Sequence, residues 1–173
     1  FLMSENTLIA VAWPYANAEI HVGNLTGSYL PADICARYHR LAGHNVLMVS
    51  GSDAHGTPIT VKADAMGTTP LQVYKQYHTG FIDLFKRLGL TYDLFTSTHT
   101  RNHFTTAQNI FLTLKQNGYL YTSSEKQWYS LSQERFLPDR YIEGTCYICG
   151  NPDARSDQCE KCGTSLSPSD LIN

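Results

Sequence analysis

The chain has 173 residues, 42% of them hydrophobic and 16% charged, with a formal net charge of −2. It is long enough for one domain plus a small appendage, can bury a core, and lacks the basic excess of a protein that grips nucleic acid by charge alone. No apolar run approaches the roughly 20 residues of a membrane helix, and the first residues show no signal peptide, which points to the cytoplasm. Met3 reads as the native start, with Phe1-Leu2 a remnant.

Leu8 to Trp13 (LIAVAW) is a short apolar run that predicts a buried strand. A loop from Pro14 to Ile20 follows, then His21-Val22-Gly23-Asn24 and a helix from about Leu25 to Leu41. Leu30, Ile34, Tyr38 and Leu41 repeat on one face of that helix and read as its core side. Pro31 should bend or break its first turns, and Gly43 suits its stop. Cys35 beside the apolar face reads as a small buried hydrophobe.

Asn45 to Ser50 is a second strand, leading into Gly51-Ser52-Asp53-Ala54-His55-Gly56-Thr57-Pro58. After a short helical piece, Thr69-Pro70 opens a longer helix as cap and first position. Its expected stripe is Tyr74, Tyr77, Phe81, Leu84, Phe85 and Leu88, with Gly89 as its end. Leu94 to Ser97 is a weak third strand, and Asn102 to Gln116 a further helix closed by Asn117-Gly118. Strands alternating with helices imply an α/β fold, a Rossmann-like parallel sheet with helices on both faces. Beyond Gly118 the character changes to short strands, turns and a cysteine knuckle. The expected units are therefore 1–118 and 119–173.

Cys146-x-x-Cys149-Gly150 and Cys159-x-x-Cys162-Gly163 place four thiols on two tight turns. Facing turns of this kind give tetrahedral sulfur coordination, which suits a structural Zn²⁺ with no position left for a catalytic water. Free thiols or two disulfides are the other readings of the pattern.

His21 to Asn24 lies between a strand end and a helix start, where unpaired backbone N–H groups face an anion. His21 can donate to a phosphate, Gly23 lets a nucleotide approach the backbone, and Asn24 can cap the helix or donate to the ribose–phosphate region. A bland loop histidine and a simple N-cap asparagine are the alternatives. No dinucleotide or P-loop glycine pattern occurs. Asn24-Leu25-Thr26 fits a glycosylation sequon that a cytoplasmic loop would never present.

Together these residues resemble a known family. Ala12-Trp13-Pro14-Tyr15-Ala16-Asn17 followed by His21-Val22-Gly23-Asn24 resembles the first signature region of the methionyl-tRNA synthetases, class I aminoacyl-tRNA synthetases. Asp53-Ala54-His55-Gly56-Thr57-Pro58 resembles a second element of that family. Phe136-Leu137-Pro138-Asp139-Arg140 with Gly144-Thr145-Cys146 resembles its approach to the zinc knuckle, and Leu30-Pro31-Ala32-Asp33 looks like its archaeal-type members.

The resemblance implies ATP-dependent activation of methionine, with Mg²⁺, and transfer of the methionyl group to tRNA(Met). It assigns His21 and Asn24 to the α-phosphate as catalytic groups, with Gly23 against the ATP. Asp53 would bind the substrate ammonium, Trp13 and Tyr15 would line the methionine pocket, and His55 would stand nearby. It makes 1–118 the first half of the nucleotide-binding catalytic domain and 119–173 part of the connective insertion. Two residues depart from the pattern: Asn24 stands for the second motif histidine, and Trp13 is larger than the leucine of some members.

The lysine loop, second half-fold and anticodon domain of the family are absent from these residues. The chain is therefore expected to be inactive alone, to leave its first strand at a sheet edge, and to self-associate. Two rivals stand beside this reading. One is another HxGH-type nucleotidylyltransferase. The other is a zinc-ribbon binding module on a non-catalytic Rossmann-like scaffold.

Overall fold

The computed structural model describes residues 4–124, 126–138, 141–155 and 158–172. Phe1 to Met3 and the Asp139-Arg140 part of the third motif lie outside them. The chain divides into two compact units, Phe1–Tyr119 and Leu120–Asn173. No helix among the described residues is long and apolar enough to cross a membrane.

The first unit is built on three parallel strands: β1 (Asn6–Ala10), β2 (Asn45–Ser52) and β3 (Leu94–Ser97), in the order β1-β2-β3. Leu8 lies opposite Leu47, and Gly51 opposite Thr96. The first strand stops short of the expected Trp13. The Ser50 hydroxyl donates towards the carbonyls of Val11 and Ala12 at 3.1 and 3.3 Å, and the chain leaves the sheet there. Among the described residues β1 pairs with β2 alone, so it is an edge strand as expected.

Both crossovers step in the same direction across the sheet. Right-handed connections then put both sets of helices on one face. That face carries Ile9, Val11, Met48 and Phe95, which pack with Tyr29, Ala36, Phe81 and Phe85 into one core. On the opposite face Leu8, Leu47 and Leu94 are 66%, 51% and 53% exposed. The α/β sheet is as expected, but helices cover one of its faces here, not both.

Helix α1 (Val22–Asn24) runs through a π-helical turn (Leu25–Tyr29) into α2 (Leu30–Leu41). Proline offers no N–H and its ring crowds the carbonyl four residues back. The wide turn lies directly before Pro31, where the sequence predicted a bend. The core side of α2 is not the expected one. Tyr29 and Ala36 are buried, whereas Ile34, Tyr38 and Leu41 are exposed. Small residues at positions 32 and 36 let the helix lie close on the sheet, and the larger stripe points away. Cys35 is exposed as well, because it is turned about 100° from Ala36.

A polar network ties α2 to the loop before β3. The Asp33 carboxylate accepts from the Thr91 backbone N–H at 2.6 Å and from Arg37 Nε at 2.6 Å. Burial opposes its charge, but these donors hold its carboxyl below the usual range. Arg40 reaches Thr91 and Asp93, and Asp93 accepts the Met48 backbone N–H at 2.7 Å.

After α3 (Thr57–Met66), Thr69 caps α4 (Pro70–Arg87) in a reciprocal box with Gln72, Pro70 taking the first turn. Its buried side is Val73, Tyr77, Phe81 and Phe85. Val73 replaces the expected Leu88, which is exposed. Helix α5 (Arg101–Gln116) is capped by Thr100 and has no buried residue.

In the second unit β4 (Tyr129–Ser130) pairs with β5 (Arg135–Phe136). Strand β6 (Glu143–Cys146) lies between β7 (Ala154–Arg155) and β8 (Leu171–Ile172), antiparallel to both. Its buried core is Cys146, Ala154, Cys159 and Leu166.

Candidate functional site

At the end of β1 the chain turns into the first helix through His21. This residue is the N-cap, and its Nδ1 accepts the Asn24 backbone N–H at 3.2 Å. Asn24 Oδ1 accepts the His21 backbone N–H at 3.2 Å. The two residues singled out for phosphate chemistry therefore hold each other. With Nδ1 as acceptor, the proton of the neutral imidazole lies on Nε2, which becomes a donor for an outside group. Asn24 spends its oxygen on the cap and keeps its NH₂ donors. A Cβ on Gly23 would lie 3.0 Å from His21 Cε1, so the glycine makes room for the histidine ring. The remaining helix N–H groups and the positive end of the helix dipole add to the same anion-seeking surface.

The ends of β2 and β3 build the second group. Asp53 forms a parallel bridge with Tyr15, donating its N–H to the Pro14 carbonyl at 2.8 Å and accepting from Ala16 N–H at 2.9 Å. This pairing carries the loop after β1 alongside the acidic residue. The Asp53 carboxylate accepts the His55 backbone N–H at 3.2 Å and faces the Thr98 hydroxyl at 3.4 Å. The Thr98 oxygen also accepts the Ala54 N–H at 2.8 Å, so one residue just after β3 holds the backbone and faces the carboxylate together.

Trp13 lies over Gly51, two residues before Asp53, and Tyr15 is bridged to Asp53 itself; both side chains are exposed. The Tyr15 ring lies near the side-chain-free surface of Gly56, whose φ of +112° favours glycine. A carboxylate with exposed aromatic residues on the neighbouring backbone suits a small ligand with an ammonium group and an apolar part.

His55 is exposed and packs with His99 and Phe104, ring centroids 5.3 and 5.7 Å away. Beneath them Tyr74 donates or accepts with Ser97 at 2.9 Å, and Ser52 bonds His78 Nδ1 at 2.6 Å. Burial pushes the His78 ring below its ordinary basicity. The sequence analysis missed Thr98, His99, Phe104 and His78. Only one signal pointed to Thr98: it is the first residue after a predicted strand, where sheet ligands are bound.

In the second unit the sulfurs of Cys146, Cys149, Cys159 and Cys162 all lie within 4.8 Å of one another. Cys146 and Cys162 are 3.8 Å apart, Cys149 and Cys159 3.6 Å. A tetrahedron of sulfurs at about 2.3 Å from a metal has edges of about 3.8 Å, so the set fits such an ion. Gly150 N–H to Cys146 O and Gly163 N–H to Cys159 O close the two turns, with both glycines at positive φ. Burial opposes ionisation of Cys159, but the Cys162 and Lys161 N–H groups outweigh it and lower the thiol. Cys149, helped by the Asn151 N–H but opposed by burial and its neighbouring thiols, is pushed up, so without an ion the four share their protons unequally. A thiolate is the form that binds metal.

Residues 7–173 match the family described as tRNA synthetases class I (M). The methionine–tRNA ligase of Thermomicrobium roseum is 55% identical over 171 residues, which is 99% of this chain and 29% of the relative. That of Roseiflexus castenholzii is 55% identical over 170 residues, 98% of this chain and 29% of the relative. Among solved structures, the methionyl-tRNA synthetase of Mycobacterium tuberculosis in complex with methionyl-adenylate superimposes with a TM-score of 0.71 at 25% identity. That match covers 94% of this chain and 30% of that one. The chain spans about three tenths of the length of these relatives. The histidine-capped helix, the acid bridged to Tyr15 and the four-sulfur cluster all fall inside the matched residues, and the chain belongs to the class I (M) tRNA synthetases.

Proposed function

We propose that the chain provides the front of the active site of a methionine–tRNA ligase. In that reaction the methionine carboxylate attacks the α-phosphate of ATP, pyrophosphate leaves, and the methionyl group passes from the adenylate to tRNA(Met). The observation that carries the reading is the pairing of Tyr15 with Asp53, with Trp13 lying over Gly51 two residues before that acid. The Asp53 carboxylate binds the substrate ammonium, and Trp13 and Tyr15 take the thioether. His55 borders the same space.

His21 donates from Nε2, and Asn24 from its amide, to the α-phosphate as negative charge grows there. Such preorganised donors act mainly on the transition state. Gly23 admits the His21 ring and leaves the backbone open to the nucleotide. Mg²⁺ accompanies the ATP and would neutralise the leaving pyrophosphate. Residues 1–118 serve as the first half of the catalytic domain. Residues 119–173 serve as part of the connective insertion, with Zn²⁺ as the ion of the four thiolates. The protein works in the cytoplasm. The β1 edge and the apolar face beside it support association of copies of this chain when nothing else covers them.

Methionine-dependent ATP–pyrophosphate exchange by the complete ligase carrying this chain tests the assignment. His21→Ala lowers the saturated exchange rate by about 10²–10³-fold, the loss typical of a transition-state donor. Asp53→Ala chiefly raises the KM for methionine. Exchange at the wild-type rate in both variants overturns the roles given to these residues.

A further inference from the structure

The indole of Trp13 lies on β2 at a place where no side chain is possible. A Cβ built on Gly51 would fall 2.7 Å from Trp13 Cζ3 and 2.8 Å from Cη2, far inside contact distance. It would also meet the Thr96 carbonyl oxygen at 2.7 Å. Gly51 is buried while Trp13 keeps 40% of its surface, so the ring covers the strand with one face and leaves part of itself open. Residues two apart in extended chain share a face. Gly51 and Asp53 are so related; Thr96 pairs with Gly51 on β3, and Thr98, just beyond that strand, turns its hydroxyl to Asp53. The ring resting on Gly51 and the carboxylate of Asp53 therefore stand on one side of the sheet, at its carboxyl end.

We infer that Gly51 is a positioning residue for substrate selection: its missing side chain seats the Trp13 indole low on the sheet, and that seat sets the length of amino-acid side chain the site accepts. This rests on the reading of Asp53 as the ammonium partner. A substrate held by its ammonium at Asp53 extends its side chain a fixed distance along the sheet, and the ring is what it meets. An indole raised by one methyl at position 51 would take up the space of about one methylene. One methylene in an apolar pocket changes discrimination by roughly 10–200-fold. Gly51 needs no contact with the substrate to have this effect.

Two measurements test it. In the 173-residue chain with Trp128→Phe, Trp13 is the remaining tryptophan. Gly51→Ala then shifts its emission and its quenching by acrylamide, and unchanged emission overturns the seat. In the complete ligase, pyrophosphate exchange is compared for L-methionine and L-ethionine, which is one methylene longer. Trp13→Leu raises the use of ethionine relative to methionine by about tenfold.

Gly51→Ala raises the KM for methionine by about tenfold in the Trp13 protein, and by less than about threefold in the Trp13→Leu background. That difference is the coupling of a double-mutant cycle, which removes the share due to Thr96 because both backgrounds carry it. An unchanged ethionine-to-methionine ratio in Trp13→Leu, or equal effects of Gly51→Ala in both backgrounds, overturns the inference while methionine use stands. A wild-type ligase that shows no methionine-dependent exchange overturns the underlying reading instead, and this inference with it.

Discussion

The two units reach order by opposite means. The first packs Phe81, Met48, Ile59 and Val73 to full burial between sheet and helices, then adds the Asp33–Thr91–Arg40 network at the rim. The second has four buried apolar residues in its core, and two of them are the cysteines Cys146 and Cys159. Its strands run two to four residues. A short segment with so little to bury needs a cross-link, and thiolate–metal bonds of the kind proposed for its four cysteines would supply several at once. The difference shows what each sequence stretch must contain: apolar periodicity in one, ligand spacing in the other.

Removing one cysteine should separate the units most sharply. A structural zinc contributes on the order of 10–16 kcal/mol in isolated fingers, more than a small unit has to lose. Cys159→Ser should therefore abolish amide protection from Glu143 to Leu171 and release about one zinc per chain. The β1–β3 sheet should keep its protection. Collapse of both units together, read by hydrogen exchange, would show that the separation is wrong.

The converse change is smaller. Phe81→Ala leaves a cavity in the first core and should cost about 3–5 kcal/mol, measured by urea unfolding of the helical signal. Zinc content should not change. A loss of zinc in this variant would mean that the second unit depends on the first.

The polar rim gives a pH-dependent version of the same comparison. The Asp33 carboxyl is lowered in the folded chain, so its stabilisation is complete above the ordinary carboxylate value of about 4. It fades as the pH falls through the lowered value. Asp33→Asn should cost about 1–3 kcal/mol at neutral pH and flatten the acid limb of the first unit's stability curve. An acid limb identical to wild type would remove Asp33 from the account. Least of all, Thr69→Ala removes the α4 cap and should cost about 1 kcal/mol, seen as a small fall in the urea midpoint.

What was legible in the sequence follows the same division. The four cysteines, the Thr69 cap, the second and third strands and the α5 limits could be read because each depends on neighbours in the chain. The inner side of α2 could not. Its longest apolar side chains, Ile34, Tyr38 and Leu41, look like core, but a helix lying close on a sheet buries its small residues instead. Burial of Asp33 and the pairing of Arg40 depend on Thr91 and Asp93, more than 50 residues away. Likewise the motif residues His21, Asp53 and Trp13 stand out in sequence, whereas Thr98 and Gly51 matter only through partners that the fold brings across from another strand.

The π turn at Leu25–Tyr29 takes up one extra residue between the His21–Asn24 cap and the helix that follows. Five residues span a loop that four would span in an ordinary α-helix, with the Leu30 N–H reaching the Leu25 carbonyl. The helix thus works as a screw with one extra notch between its handle and its thread. The thread is fixed on the sheet by Tyr29 and Ala36, and the handle is the His21–Asn24 cap. Deleting Gly27, whose side-chain position faces no other part of the protein within 4 Å beyond its own helix, would close the notch. Four residues would then make the turn that five make now, and the cap would stay close to its present direction around the helix axis. Each of its residues would keep its identity and its hydrogen bonds, and the Nε2 proton of His21 would point much as it does now: the wide turn absorbs one residue without re-aiming the cap.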